Sequence, residues 1–344
     1  LNNIKLTSFS KSSGCGCKLA PENLKTLLSK LNFKAYEKLL VGVTRSDDAA
    51  VLQLNDEQAL ISTVDFFTPL VDNPFDFGRI AAANSISDIY AMGGRPILAT
   101  AILGWPISQL PLEMAAEVMS GALKICDEYK IPLAGGHSIE SAEPFFGLSV
   151  NGLVALKNLK TNSGARVGDL LYLTKAVGSG SLASGLKRDM VDSTAYKALI
   201  ELTTSVNHIG EELGKFEWVT AMTDVTGFGL LGHIIEICQG SGVGAKLNID
   251  QVHVMAESKK LIDSFIFPDN TFKNWNAYGK LISKEAEQYF AILSEPQTNG
   301  GLLVAVSPKA KNDFEEFLKR SNLAQYAQPI GVFTFGEGNE LITL

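Results

Sequence analysis

Asn73-Pro74-Phe75-Asp76-Phe77-Gly78-Arg79-Ile80-Ala81-Ala82-Ala83-Asn84-Ser85-Ile86-Ser87-Asp88-Ile89-Tyr90-Ala91-Met92-Gly93-Gly94 reads as one helix with its start and stop written into it. Asn73 is placed to cap, Pro74 takes the first helical position, and Asp76 faces the positive end of the helix dipole. The glycine pair stops the helix near Met92. Upstream, 50–54 and 59–64 read as strands, and the turn residues Asn55-Asp56-Glu57 between them predict a hairpin. Downstream come a strand over 97–103, a helix over 111–129, a short strand over 131–134 and a strand over 145–156.

The polar stretch 157–164 reads as a linker, and a second unit follows. Strands are expected at 169–174, 218–222, 302–306 and 330–333, and helices after Gly178-Ser179-Gly180, at 227–239 and at 308–319, the last with Ser307 placed to cap it. Ahead of both units, Pro21 to Leu31 has the leucine spacing of an amphipathic helix, whereas residues 7–18 show no hydrophobic periodicity. The expected organisation is an α/β (α+β) chain with a mobile N-terminal loop over 1–20, a first domain over 21–156 and a second over 157–344. Residues 265–290 show no clear pattern.

The chain has 344 residues, 46% hydrophobic and 19% charged, the balance of an ordinary globular protein of two domains. A net charge of −7 gives no global basic field for nucleic acid. No run of about 20 apolar residues predicts a membrane span. Residues 1–5 hold no leader-like apolar core, and four cysteines suit a reducing compartment, so a cytoplasmic location is the expectation.

Two features carry chemistry. The first is a set of aspartates, Asp47, Asp48, Asp65, Asp88 and Asp224, each set among small and apolar residues. Buried charge is costly unless it is paired or bound to metal, and hard cations take oxygen ligands. Mg²⁺ bridging carboxylates and nucleotide phosphates fits this pattern; the alternative for each is a cap or a turn. The second is Gly14-Cys15-Gly16-Cys17-Lys18, which sets two thiols beside a cation that favours the thiolate. Alone, the segment reads equally as a frayed terminus.

Other motifs are weaker. Gly135-Gly136-His137-Ser138 after a strand reads either as a backbone cradle for a phosphate or as a tight turn with a capping serine. Gly227-Phe228-Gly229-Leu230-Leu231-Gly232 lacks the acidic residue of a dinucleotide fold, so an NAD site is rejected. His233, flanked by Leu230 and Ile234, reads as a packing histidine.

Taken together, the Cys-Gly-Cys-Lys loop, Asp47-Asp48-Ala49-Ala50-Val51, Thr63-Val64-Asp65-Phe66-Phe67, the 72–94 stretch, Leu133 to Ser138, Ala221 to Gly229 and Pro296-Gln297-Thr298-Asn299-Gly300-Gly301-Leu302 resemble the selenophosphate synthetase family in content and order. The resemblance spans nearly the whole chain. It implies the two-domain aminoimidazole ribonucleotide synthetase-like fold, N-terminal domains paired into a homodimer, and ATP near that interface. It implies that ATP, hydrogen selenide and water give selenophosphate, AMP and orthophosphate, with Mg²⁺ as cofactor. A selenium-delivery protein such as a cysteine desulfurase or selenocysteine lyase is an implied partner. By position, Cys15 matches the reactive cysteine and Lys18 the essential lysine, while Cys17 matches a dispensable thiol. Asp48, Asp88 and Asp224 match metal ligands; Lys18, Arg45, Ser46, Asp47, Asp65, Asp88, Gly136, His137 and Ser138 match nucleotide contacts.

Two departures stand out. Arg45 is offset by one position from the family's usual Thr-Arg before the Asp pair, and Asn299 replaces a common serine, one small polar group for another. Two other readings share part of the pattern. Another ATP-dependent enzyme of the same superfamily would leave the Cys-Gly-Cys-Lys loop idle, and a non-enzymatic selenium carrier would leave the aspartates idle.

Overall fold

The structure, a computed structural model, describes residues 4–11, 13–43, 47–336 and 340–344. The capped helix forms where its sequence predicts, after a short amphipathic helix α1 (Pro21–Leu28); it is α2 (Pro74–Ala91), and Asn73 Oδ1 accepts from the Asp76 N–H at 2.9 Å. From Phe77 to Ala91 every residue except Arg79 is buried. A helix apolar on all sides must be covered on all sides, and α2 is the element around which both halves of the chain assemble.

One side of α2 packs on a six-stranded sheet of β1 (Leu39–Val41), β2 (Ala50–Gln53), β3 (Gln58–Phe67), β4 (Arg95–Trp105), β5 (Leu133–Glu140) and β6 (Phe145–Ala155), in the order β1-β2-β3-β6-β4-β5. The expected β2–β3 hairpin is present, antiparallel, with Gln53 opposite Ala59. Helix α3 (Leu112–Glu128) packs beside α2, where Gly78 and Gly121 leave no room for a side chain between the backbones.

A second six-stranded sheet runs β12-β9-β11-β7-β10-β8, from β7 (Leu170–Leu173), β8 (Val219–Asp224), β9 (Gly244–Leu247), β10 (Leu302–Val306), β11 (Gly331–Thr334) and β12 (Ile342–Thr343). The helices among these strands are α4 (Ser179–Lys187), α5 (Ser193–Thr204), α6 (Ile209–Gly214), α7 (Gly229–Ser241), α8 (Ala256–Asp263), α9 (Asn270–Tyr278), α10 (Phe290–Ser294) and α11 (Lys311–Arg320). Residues of α5, α6 and β8 reach α2, so the second sheet meets the first across that helix.

Four expectations need correction. The Gly135–Ser138 turn does not exist: those residues lie inside β5, which runs parallel to β4 at the sheet edge. Pairing Ile102 with His137 and Leu103 with Ser138 continues the ladder through the glycines. Ser307 makes no side-chain cap, because a 3₁₀ turn over Pro308–Ala310 precedes α11. Helix α1 buries none of its leucines. The unpatterned 265–290 stretch holds α9, two 3₁₀ turns and the start of α10, elements too short to show a period; Phe267, Phe272, Trp275 and Phe290 stack to hold them.

Candidate active site

The N-terminal segment, expected to be mobile, is docked in this structure. Leu6 and Cys15 are fully buried, and Thr7 donates through N–H and Oγ1 to Asp72 Oδ1 at 2.9 and 2.6 Å. Gly14 donates to Thr68 O at 3.0 Å, and Cys15 N–H to Thr298 Oγ1 at 3.1 Å. Gly14 has φ +52°, and a Cβ there would lie 2.5 Å from Thr298 Oγ1, so only glycine fits. Gly227, just after β8, makes similar room: a Cβ there would sit 2.9 Å from Lys18 Cδ. The loop thus lies between Thr68 after β3, the 296–301 loop before β10, and the turn after β8.

Inside this joint a chain of buried amides meets the thiol. Asn84 Oδ1, on α2, accepts from the Asn299 N–H at 2.7 Å and lies 3.4 Å from Cys15 Sγ. Asn84 Nδ2 donates to Asp65 Oδ2 at 2.6 Å, and Lys18 Nζ sits 3.2 Å from Asp65 Oδ1. Lys18 does favour the Cys15 thiolate, as expected, but it does not decide the net shift. Burial pushes the thiol well above its usual range, outweighing the lysine, and Asn84 Oδ1 is an acceptor for its proton. Burial alone would lower the Lys18 pKa, but Asp65, Cys15, Asp88 and Asp224 together raise it, so it stays an ammonium.

Asp88 accepts from Thr63 Oγ1 at 2.5 Å and Asp48 from Thr223 Oγ1 at 2.6 Å, a bond that ties the turn before β2 to β8 of the second sheet. Asp224 closes β8 opposite Leu302. Burial, then mutual repulsion, pushes the Asp48 and Asp88 carboxyls well up; burial also raises Asp224, against a hydrogen bond from Ser87. Asp47 Oδ1 accepts from the Asn162 N–H at 3.2 Å. Asp47, Asp48, Ser62, Thr63 and Ser149 line a cleft of about 370 Å³.

Among the described residues no three acidic, histidine or cysteine side chains converge closely enough to cage an ion alone. The residues nonetheless fit a shared divalent cation. Asp48 Oδ2 and Asp224 Oδ2 are buried oxygen atoms with no hydrogen-bond partner among the described residues. Mg²⁺ commonly binds one or two carboxylates and takes its remaining ligands from phosphate and water.

The candidates are not all brought together. Cys15, Lys18, Asp65 and Asp88 share one network with Asp48 and Asp224 beside it. Gly136, His137 and Ser138 lie on the exposed edge strand, with β4 and β6 between them and β3. Arg45 and Ser46 lie outside the described residues. Sequence reasoning missed Asn84 and Thr298. The signal for Asn84 was present, since it is as polar as Asp88 in the same apolar helix. Asn299 is more than a small polar stand-in for serine. It has φ +48°, a region asparagine tolerates, and its Nδ2 donates to Thr203 O and Ser205 O at 2.8 and 2.9 Å. His233 is buried as expected, with Nε2 accepting from the Thr226 N–H at 3.1 Å.

Comparison with known proteins identifies the family. The family models "AIR synthase related protein, N-terminal domain" and "C-terminal domain" match residues 46–154 and 166–343. The "Selenide, water dikinase" of Shewanella sp. (strain MR-4) is 48% identical over 318 residues, 92% of this chain and 90% of that protein. That of Colwellia psychrerythraea (strain 34H) is 46% identical over 332 residues, 96% of each. Among solved structures, thiamine-monophosphate kinase from Stenotrophomonas maltophilia superposes with a TM-score of 0.65 at 18% identity, covering 94% of this chain and 98% of that one. Hydrogenase maturation protein HypE in complex with ATP gives 0.60 at 16% identity, covering 96% and 90%; at such identities the likeness speaks for the fold alone. With both halves of the fold matched and nearly half its residues shared along nearly its whole length, the chain belongs to the selenide, water dikinase family of AIR synthase related proteins.

Proposed function

We propose that this protein makes selenophosphate from ATP, hydrogen selenide and water, releasing AMP and orthophosphate. The observation that carries this is the Cys15–Lys18 loop seated on the carboxylate network, with Cys15 Sγ on Asn84 and Lys18 on Asp65. A nucleotide site alone needs no thiol there, and a carrier needs no carboxylates.

Asp48, Asp88 and Asp224 would hold Mg²⁺, whose chemistry is to neutralise phosphate charge and polarise the phosphoryl groups. Burial, and for Asp48 and Asp88 also repulsion from neighbouring carboxylates, raises their pKa values, and a bound cation would offset both. Lys18, always charged here, would exchange Asp65 for phosphate oxygens as charge develops on them. The docked loop keeps water from Cys15, whose thiol holds its proton against Asn84 until the loop lifts or Lys18 turns toward the sulfur.

The nucleotide contacts assigned to Asp47 and to Gly136, His137 and Ser138 are separated within one chain, and a homodimer would reunite them. Two features support that pairing. Strand β5 is a long exposed edge, which folded proteins normally cover. The outer face of the same sheet exposes Val64 (53%), Phe66 (47%) and Ile139 (50%). A selenium-delivery protein and a cytoplasmic setting belong to the same proposal; no helix among the described residues is long and apolar enough to cross a membrane.

³¹P NMR of the protein with ATP, Mg²⁺ and selenide tests the reading. Selenophosphate appearing with AMP is expected; ADP as sole nucleotide product, or no turnover, overturns it. Cys15→Ser is expected to lower selenide-dependent turnover by about a hundredfold or more, and Cys17→Ser by less than about threefold. Equal losses would remove Cys15 from its role.

A further inference from the structure

The N-terminal loop also lines a second cleft, which shares no lining residue with the one at Asp47 and Asp48 and is basic. It has a volume of about 520 Å³ and is lined by Cys17 and by Lys11, Lys18, Lys187, Arg188 and Lys273, against one carboxylate, Asp269. This is a strong local reversal in a chain of net charge −7. Its cations are largely uncompensated. Lys187 Nζ donates to Ser10 O at 2.5 Å and Lys273 Nζ to Asn270 Oδ1 at 2.8 Å, both neutral acceptors. Among the described residues, only Lys18 of the five has a carboxylate within ion-pair distance. The residues come from the N-terminal loop, the end of α4 with Arg188 just after it, and the start of α9 with Asp269 just before it, so tertiary folding alone collects them.

We propose that this basic cleft is the entry vestibule for the selenium substrate, a small soft monoanion, and that it delivers that anion to the Cys17 side of the loop. The inference rests on the selenophosphate reading above. The two reactants would enter through surroundings of opposite charge: the nucleotide with its neutralising cations at the aspartates, and hydroselenide at the lysines. A cleft lined by one sign of charge between low-dielectric walls raises the local concentration of a counter-ion and its on-rate. A dilute, easily oxidised anion gains most from such focusing. Cys15 is fully buried and Cys17 partly exposed, so Cys17 is the thiol this vestibule presents to solvent.

The test uses the double variant Lys11→Gln/Arg188→Gln. Both residues are exposed and stand outside the carboxylate network, so folding is expected to be unaffected. The first measurement needs no turnover: the rates at which anionic iodoacetate and neutral iodoacetamide alkylate Cys17, read by peptide mass. The variant is expected to lower the iodoacetate-to-iodoacetamide ratio by about threefold or more, and added sulfate to lower it in the parent. The second is steady-state selenide turnover, where KM for selenide is expected to rise by about fivefold or more and KM for ATP to stay within about twofold. An unchanged alkylation ratio, an unchanged selenide KM, or equal rises in both KM values each overturn the vestibule. A parent protein that makes no selenophosphate overturns the function instead, while the alkylation ratio still reads the cleft.

Discussion

The two sheets of this protein have the same number of strands and opposite surroundings. In the second, β10 is buried at every position, with Leu303 and Ala305 in one apolar cluster with α7 and Leu302, Val304 and Val306 in another with α6 and α11. In the first, β3 alternates: Ala59, Ile61, Asp65 and Phe67 point inward, while Val64 and Phe66 stand exposed on the outer face. The closed sheet is a scaffold. The half-open one carries Asp65 on its inner face toward α2 and leaves Val64 and Phe66 exposed on its outer face, the surface on which the proposed pairing would draw.

The sharpest way to break this contrast is to put a charge on each sheet. Val304→Asp, on the fully buried strand, is expected to cost more than about 4 kcal/mol and leave no cooperative unfolding transition. Phe66→Asp, on the open face, is expected to leave a folded monomer by sedimentation, with nucleotide turnover lost. A Phe66→Asp protein that stays dimeric would show that the open face is not the contact.

Removing charge from the inner side should separate stability from activity. Asp88→Asn is expected to lower turnover about a hundredfold and weaken Mg²⁺-dependent nucleotide binding. It should also raise the melting temperature of the ligand-free protein, because burial and like-charge repulsion push this carboxyl up. Unchanged ATP affinity and unchanged Mg²⁺ dependence would remove Asp88 from the metal site.

On the closed side, Glu295 offers a pH test. It is fully buried, accepts from Ser181, and burial lifts its pKa from 4.5 to about 7. The folded protein therefore holds a proton that the unfolded chain has already released. Its contribution to stability is complete below pH 4.5 and is lost as pH rises to about 7, about 3 kcal/mol in all. Glu295→Gln should abolish that loss, so the parent-minus-variant stability difference should fall over this window. A flat difference would mean that the carboxyl ionises without cost.

The smallest expected effect is at Asn299. Asn299→Ser removes two buried donors to Thr203 O and Ser205 O and is expected to cost about 1–3 kcal/mol by denaturant unfolding, with the Cys15 seat loosened. A cost near zero would return Asn299 to a neutral exchange for serine.

Local signals were legible where they act locally. Asn73, Pro74 and the Gly93-Gly94 stop set α2 because capping and proline geometry concern neighbouring residues. Strand β10 was legible because its five residues are apolar without interruption. The glycines of β5 misled, since a Gly-Gly pair suggests a turn unless a neighbouring strand supplies hydrogen bonds, and β4 does. The state of Cys15 was equally out of reach: a lysine three residues away favours a thiolate, but burial under the 296–301 loop outweighs it.

By itself the sequence determined many of the individual elements, the central capped helix, and the residue types of the site: aspartates in apolar company and a Cys-Gly-Cys-Lys loop. Those follow from chain-local conformational preference and from the cost of burying charge. Only the tertiary structure decided that Asn84 joins Cys15 to Asp65, that Asn299 braces this joint, and that lysines and an arginine from three distant segments converge behind the loop. Such contacts depend on Coulomb and hydrogen-bond terms between groups far apart along the chain, whose separation is set only when the two sheets close on α2.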